Sequence, residues 1–188
     1  MMELLKKSAE VKLRVAESCG REILLAADMI SDCFRTGGKL LLCGNGGSAA
    51  DCQHMAAEFV SRLSSEFERP GLPAIALTTD SSFLTAYAND SGFEGVFERQ
   101  VQALGKSEDV LIAISTSGNS KNVVRAVERA SEMGLKSIGL LGSEGRLSGQ
   151  CDVAIAVPDP STQHIQEAHL AIEHVLCELV EIQLFGRH

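Results

Sequence analysis

Short continuous apolar runs alternate with longer stretches of helical period along this chain. Five runs read as strands: Leu40–Cys43, Ala74–Leu77, Asp109–Ile114, Lys136–Leu141 and Asp152–Val157. Between and around them the spacing predicts helices. Residues 2 to 36 carry apolar positions at Leu4, Leu5, Val11, Val15, Ile23, Leu24, Ala27, Ile30 and Phe34, with Gly20 breaking or joining two helices. Thr36-Gly37-Gly38 stops the second, as glycine after a helix does. Further helices are predicted from Ser48 onward, over Ser81–Ala88, Phe93–Leu104 and Asn122–Met133, and over Thr162–Phe185 at the end. Arg69–Pro73, Asn89–Gly92, Ser115–Ser120 and Pro158–Pro160 read as turns or loops.

The strands are near-continuous apolar runs rather than alternating ones. That pattern belongs to strands buried on both faces, so the expected fold is α/β: a five-stranded parallel sheet covered by helices on both faces, a three-layer sandwich. One domain is expected over residues 1–188, with leading helices over 1–36 and the α/β core over 37–188. Ligands of such sheets sit at the carboxyl ends of the strands. That rule gathers the loops at 44–48, 80–91 and 115–120 on one rim. The two leading helices precede any strand, so packing against another subunit is one outlet for their apolar stripe.

The rim carries the chemistry. Gly44-Asn-Gly-Gly-Ser48 follows the first strand and opens a helix, where free N–H groups and the positive dipole end favour an anion. With Ala49 it fits the dinucleotide fingerprint, but the acidic residue at the second strand's end, Asp80, comes about thirty positions on rather than about twenty, so no nucleotide cofactor is expected. Ser115-Thr-Ser-Gly-Asn-Ser120 places four hydroxyls between a buried strand and a helix start, a donor set suited to a phosphate monoester. His54 and Glu58, at i and i+4, share a helix face and read as a metal pair, an acid/base pair or a solvated face. Along the last helix Gln166, Glu167, His169, Glu173 and His174 accompany an apolar stripe, and spacing alone does not choose among them. Asp90 reads as a turn residue, and Arg62 and Lys121 as surface charges within reach of a phosphate.

Composition narrows the partners. A net charge of −8, no tryptophan and one tyrosine disfavour nucleic acid or an anionic membrane as the binding surface. No run approaches a membrane span, and the first residues lack an apolar signal core. Six scattered cysteines without a C-x-x-C read as buried free thiols of a reducing compartment, so a cytoplasmic location is expected.

In this order, Cys43-Gly-Asn-Gly-Gly-Ser48, His54-x-x-x-Glu58, Arg69-Pro-Gly-x-Pro-Ala-Ile-Ala76, Asn89-Asp-x-Gly-Phe93, Ile114-Ser-Thr-Ser-Gly-Asn-Ser120 and Ile165-Gln-Glu-x-His169 with His174 resemble the sugar isomerase (SIS) family, and within it the phosphoheptose isomerases. The resemblance implies an aldose–ketose isomerase. It would convert sedoheptulose 7-phosphate to D-glycero-D-manno-heptose 7-phosphate through an enediol, the first step towards ADP-heptose for lipopolysaccharide cores and other surface glycans. It implies a pocket lined by Asn45, Gly46, Gly47 and Ser48, and a phosphate held by Ser115, Thr116, Ser117 and Ser120. Asn89, Asp90 and Gln166 would touch the sugar, and Glu58 and His174 would be the catalytic pair. It also implies one zinc ion at His54, Glu58, Gln166 and His174, and a homotetramer. Gln166 and His174 lie eight residues apart, roughly 12 Å along an ideal helix, so a shared ion requires their side chains to lean together. His164 and Gln163 depart from the family pattern just before Gln166. The same family contains non-catalytic tetramers that bind the replication initiator, and sugar-phosphate-sensing modules that usually sit beside a helix-turn-helix. The presence of both Glu58 and His174 favours the enzyme, and this length leaves no room for a DNA-binding module.

Overall fold

A computed structural model of the chain describes residues 1–186. Its helices are α1 (Met2–Ser18), α2 (Gly20–Arg35), α3 (Gly47–Val60), α4 (Ser81–Ser91), α5 (Val96–Leu104), α6 (Lys121–Glu132) and α7 (Thr162–Phe185). Its strands are β1 (Leu40–Gly44), β2 (Ala74–Ala76), β3 (Val110–Ser115), β4 (Lys136–Gly142) and β5 (Val153–Val157). All pair in parallel, in the order β2-β1-β3-β4-β5. The order reverses between β1 and β3, where Leu40 pairs with Val110 and Gly44 with Ile114. The loops that leave these two strands therefore emerge side by side. This is the switch point at which open α/β sheets bind ligands.

The pleat divides the core in two. Leu40 and Leu42 of β1, with Val110, Ile112 and Ile114 of β3, face α2, α3 and α7. Leu41 and Cys43, with Leu111 and Ala113, face α5 and α6. Each such leucine or isoleucine is removed from water, worth roughly 1.5–3 kcal/mol apiece. At the amino end of the sheet the buried Asp109 carboxylate accepts from the Lys39 and Lys106 amides and pairs with the Lys39 ammonium, fixing β1 against β3.

The leading helices behave differently from one another. α2 covers its own sheet with Ala26, Ala27 and Ile30 and leaves Leu24 and Leu25 about half exposed. α1 buries only Val11 and Val15 and leaves Leu4, Leu5 and Leu13 about two-thirds exposed. The break falls at Cys19, and Gly20 opens α2. Asn89 and Asp90, expected in a loop, form the last turn of α4, which Gly92 ends at φ 93°. Asn-Asp-Ser-Gly suits a helix end as well as a turn. A 3-10 turn over Phe93–Gly95 takes the first residues expected in α5. No helix among the described residues is long and apolar enough to cross a membrane.

Candidate active site

The glycine loop turns where only glycine fits. Gly46 sits at φ 58°, ψ −121°, a strained conformation for any residue with a Cβ. α3 opens at Gly47, one residue earlier than expected. A Cβ on Gly47 would run into the side-chain amide of Gln166, which reaches over from α7. That amide donates to Asp51 Oδ2 at 3.3 Å. Burial raises the Asp51 carboxyl above its usual range, against lowering contributions from Gln166 and His54.

The neighbouring hydroxyl loop forms a linked set. Ser115 Oγ lies 3.1 Å from Ser120 Oγ and 3.5 Å from Ser117 Oγ. Ser117 Oγ also accepts from the Asn119 amide at 3.2 Å. Ser120 is the N-cap residue of α6, yet its hydroxyl does not cap the helix and turns to Ser115 instead. Thr116 lines a polar cavity of about 340 Å³ with Ser117 and Asn119 on the flank of this loop. Ser48 is buried in the first turn of α3.

The two cradles are joined by a residue absent from the sequence-based candidates. Asn45 Nδ2 donates to Asn122 Oδ1 at 2.9 Å, and Asn122 Nδ2 donates back to Asn45 Oδ1 at 2.8 Å. Asn122 Oδ1 also accepts from the Val123 amide. The Asn45 side chain, expected to line the pocket, is thus engaged in holding the glycine loop to the start of α6. The sequence mark of Asn122 is only an asparagine opening the helix expected from residue 122, which does not show its burial.

At the other end of α3 the acid/base candidates converge. His54 Nε2 is 2.8 Å from His174 Nε2, with the rings edge-to-face at 5.1 Å between centroids. Glu58 Oε1 lies 3.7 Å from His54 Nε2. α3 therefore contributes His54 and Glu58, and α7 contributes His174. Two imidazole nitrogens facing each other beside a carboxylate form a donor set that zinc accepts. Gln166 is bonded to Asp51, whose carboxyl also feels the His54 charge. Among the described residues no group of three or more His, Cys, Asp and Glu side chains is gathered as a preformed metal site.

Other candidates fall elsewhere. Asn89 donates to Asp90 at 2.8 Å on α4, a helix with no buried residue, and both are exposed. Arg62 pairs with Glu68, and Lys121 pairs with Glu94 at 2.8 Å, so each cation already has a carboxylate. His164 Nδ1 lies 3.7 Å from Asp159, which also binds Arg14 at 2.7 Å. Two buried groups on α7 went unsingled by spacing. His169 places Nε2 3.1 Å from the Leu141 carbonyl, so that nitrogen carries the proton. Burial lowers its pKa to about 4. Glu173 is fully buried with neither oxygen partnered, and burial, then the Asp51 charge, pushes it up to about 9.

A 2-1-3-4-5 parallel sheet with a glycine cradle and a hydroxyl cradle at its switch point defines an α/β domain built for a small anionic ligand. Residues 3–142 match the family model described as the SIS domain. A phosphoheptose isomerase from Roseiflexus sp. (strain RS-1) is 50% identical over 186 residues, covering 98% of this chain and 93% of its own. The structure of phosphoheptose isomerase from Neisseria gonorrhoeae matches with a TM-score of 0.89 at 41% identity, covering 96% of each chain. That of a phosphoheptose isomerase from Francisella tularensis matches with a TM-score of 0.90 at 38% identity, covering 95% of this chain and 94% of the other. The chain belongs to the phosphoheptose isomerase family.

Proposed function

We propose that this chain interconverts sedoheptulose 7-phosphate and D-glycero-D-manno-heptose 7-phosphate, an aldose–ketose isomerisation. The observation that carries the reading is the meeting of Glu58, His54 and His174 from two helices, on the same α3 that begins at the glycine cradle. The reaction moves a proton between C1 and C2 through an enediol. It needs a base over that edge, a proton carrier at the two oxygens, and a distant grip on the phosphate. Glu58 takes the C1 proton and returns it at C2. His174 carries the proton between O1 and O2. Ser48, Ser115, Thr116, Ser117 and Ser120 hold the phosphate with the amides at the start of α6, which leaves no need for a lysine or arginine in direct contact. Gln166, fixed by Asp51, faces the sugar across Gly47. Asn89 and Asp90, exposed at the end of α4, are the further sugar contacts in this reading.

The reading includes a zinc ion held by His54, Glu58 and His174, with Gln166 as a fourth ligand. Bound there, it would polarise the sugar oxygens as a Lewis acid. It also includes a homotetramer in the cytoplasm whose product feeds ADP-heptose synthesis. Support for association comes from an apolar groove of about 470 Å³ between α1, α2 and α7, lined by Val15, Ile23, Leu24, Ile172, Val175 and Leu179. Free thiols at all six cysteines agree with a reducing compartment. The test is incubation with sedoheptulose 7-phosphate, with and without added zinc, following the aldose by NMR. Formation of the heptose aldose is expected. No aldose under either condition overturns the reading.

A further inference from the structure

Arg69 has a burial and a set of contacts that its place in an Arg-Pro-Gly turn does not require. Its side chain is 1% exposed, as is that of Glu181, its ion-pair partner at 2.7 Å. The guanidinium spends its remaining donors on backbone. Nη2 donates to the Glu58 carbonyl at 2.7 Å, and Nη1 donates to the Phe59 carbonyl at 2.8 Å and the Pro70 carbonyl at 3.1 Å. Glu58 and Phe59 belong to the last turn of α3, whose carbonyls have no partner further along the helix. The positive charge also lies at the negative end of the α3 dipole. Glu181 belongs to α7 and stands seven residues after His174, two turns along the same face.

One fork therefore joins the backbone of Glu58 to the helix that carries His174. We propose that Arg69 and Glu181 are positioning residues: their bridge sets the separation of α3 from α7 at the reacting end, and with it the spacing of Glu58 and His174. The inference rests on the reading of those two as the catalytic pair. A lysine cannot replace the fork, because a single ammonium cannot reach a carboxylate and two carbonyls across a planar span at once. The bridge lies beyond the reacting pair from the phosphate grip. Its loss moves the chemistry while leaving substrate capture in place, and a misplacement of about 1 Å costs on the order of 100-fold in rate.

The experiment compares the parent, Arg69→Lys and the double variant Arg69→Met/Glu181→Leu, which removes both charges so that neither is left buried alone. Lys39→Met serves as a control, since it breaks a second buried ion pair at the amino end of the sheet, Lys39–Asp109, which ties β1 to β3 and bonds to neither α3 nor α7. Each is read for folded fraction, for kcat and KM on sedoheptulose 7-phosphate, and for the imidazole 15N resonances of His54 and His174. Both bridge variants are expected to lose kcat about 10- to 100-fold per folded molecule, with KM within about 3-fold, and to shift the two imidazoles. Lys39→Met is expected to lose stability and keep both kcat per folded molecule and the imidazole positions. Unchanged kcat in folded bridge variants overturns the proposal, as does an equal loss in Lys39→Met. A parent without activity overturns the functional reading instead. The bridge is then judged on the imidazole resonances alone, which overturn it if they stay in place.

Discussion

Replacing Glu173 by glutamine isolates the energetic cost of a carboxyl buried without a partner. In the folded chain Glu173 is fully enclosed, both oxygens lack a hydrogen bond, and its pKa is pushed up to about 9. In the unfolded chain it titrates at the ordinary value of 4.5. Below pH 4.5 both states hold the proton and the group is neutral in the balance. Between 4.5 and about 9 the unfolded state releases the proton while the native state keeps it, so stability falls as pH rises, by up to about 1.4 kcal/mol per pH unit. Between pH 5 and pH 8 this amounts to a loss on the order of 4 kcal/mol specific to the parent. Glutamine keeps the volume and cannot titrate. Urea denaturation of parent and Glu173→Gln in EDTA, at one protomer concentration, is the assay. The variant is expected to gain on the parent steadily from pH 5 to pH 8. Parallel stability curves across that range would refute the argument that this carboxyl is held neutral by burial.

Three further outcomes follow from the same contacts. Gly47→Ala should destabilise by about 1–3 kcal/mol and lower kcat/KM, because the new methyl displaces the Gln166 amide; adding Gln166→Ala should restore the stability but not the activity, read by thermal melts and steady-state kinetics. Asn122→Ala should cost about 1–3 kcal/mol by leaving the Asn45 amide unpaired, and should raise KM more than it lowers kcat, because it frees the glycine loop from the phosphate grip. His169, held neutral with a pKa of about 4 against 6.5, stabilises the fold above pH 6.5 and loses that contribution as pH falls towards 4. His169→Gln, which retains a donor for the Leu141 carbonyl, should flatten the acid limb of the stability curve over that window.

The sheet was legible because its signal is local. Leu40–Cys43 and Val110–Ile114 are apolar on both faces, and that follows from a parallel strand buried between helix layers. The glycine and hydroxyl loops were legible for the same reason, since each places its donors within six residues at a strand end. His54 and Glu58 lie within one helix and their pairing follows from the helical period. What sequence spacing could not reach depends on which helix faces which. Asn122 matters through Asn45, 77 residues away, and Arg69 through Glu181, 112 residues away. Arg69 in an Arg-Pro-Gly turn and Glu181 on a long helix have nothing local to mark them as buried partners. The contact of Gln166 with Asp51 and Gly47 likewise depends on how α7 packs over the start of α3. Asn89 and Asp90 read as a loop because residues that favour turns also end helices, and Gly92 ends α4 after them.

The central claim is that Glu58 and His174 move the proton while the hydroxyl cradle only holds the substrate. The most direct measurement is the separate determination of kcat and KM on sedoheptulose 7-phosphate for the parent, Glu58→Gln and His174→Ala. The account predicts a fall in kcat of about 100- to 10,000-fold in each variant with KM within a few-fold of the parent. Retention of kcat in either variant, or a loss carried by KM alone, would contradict it.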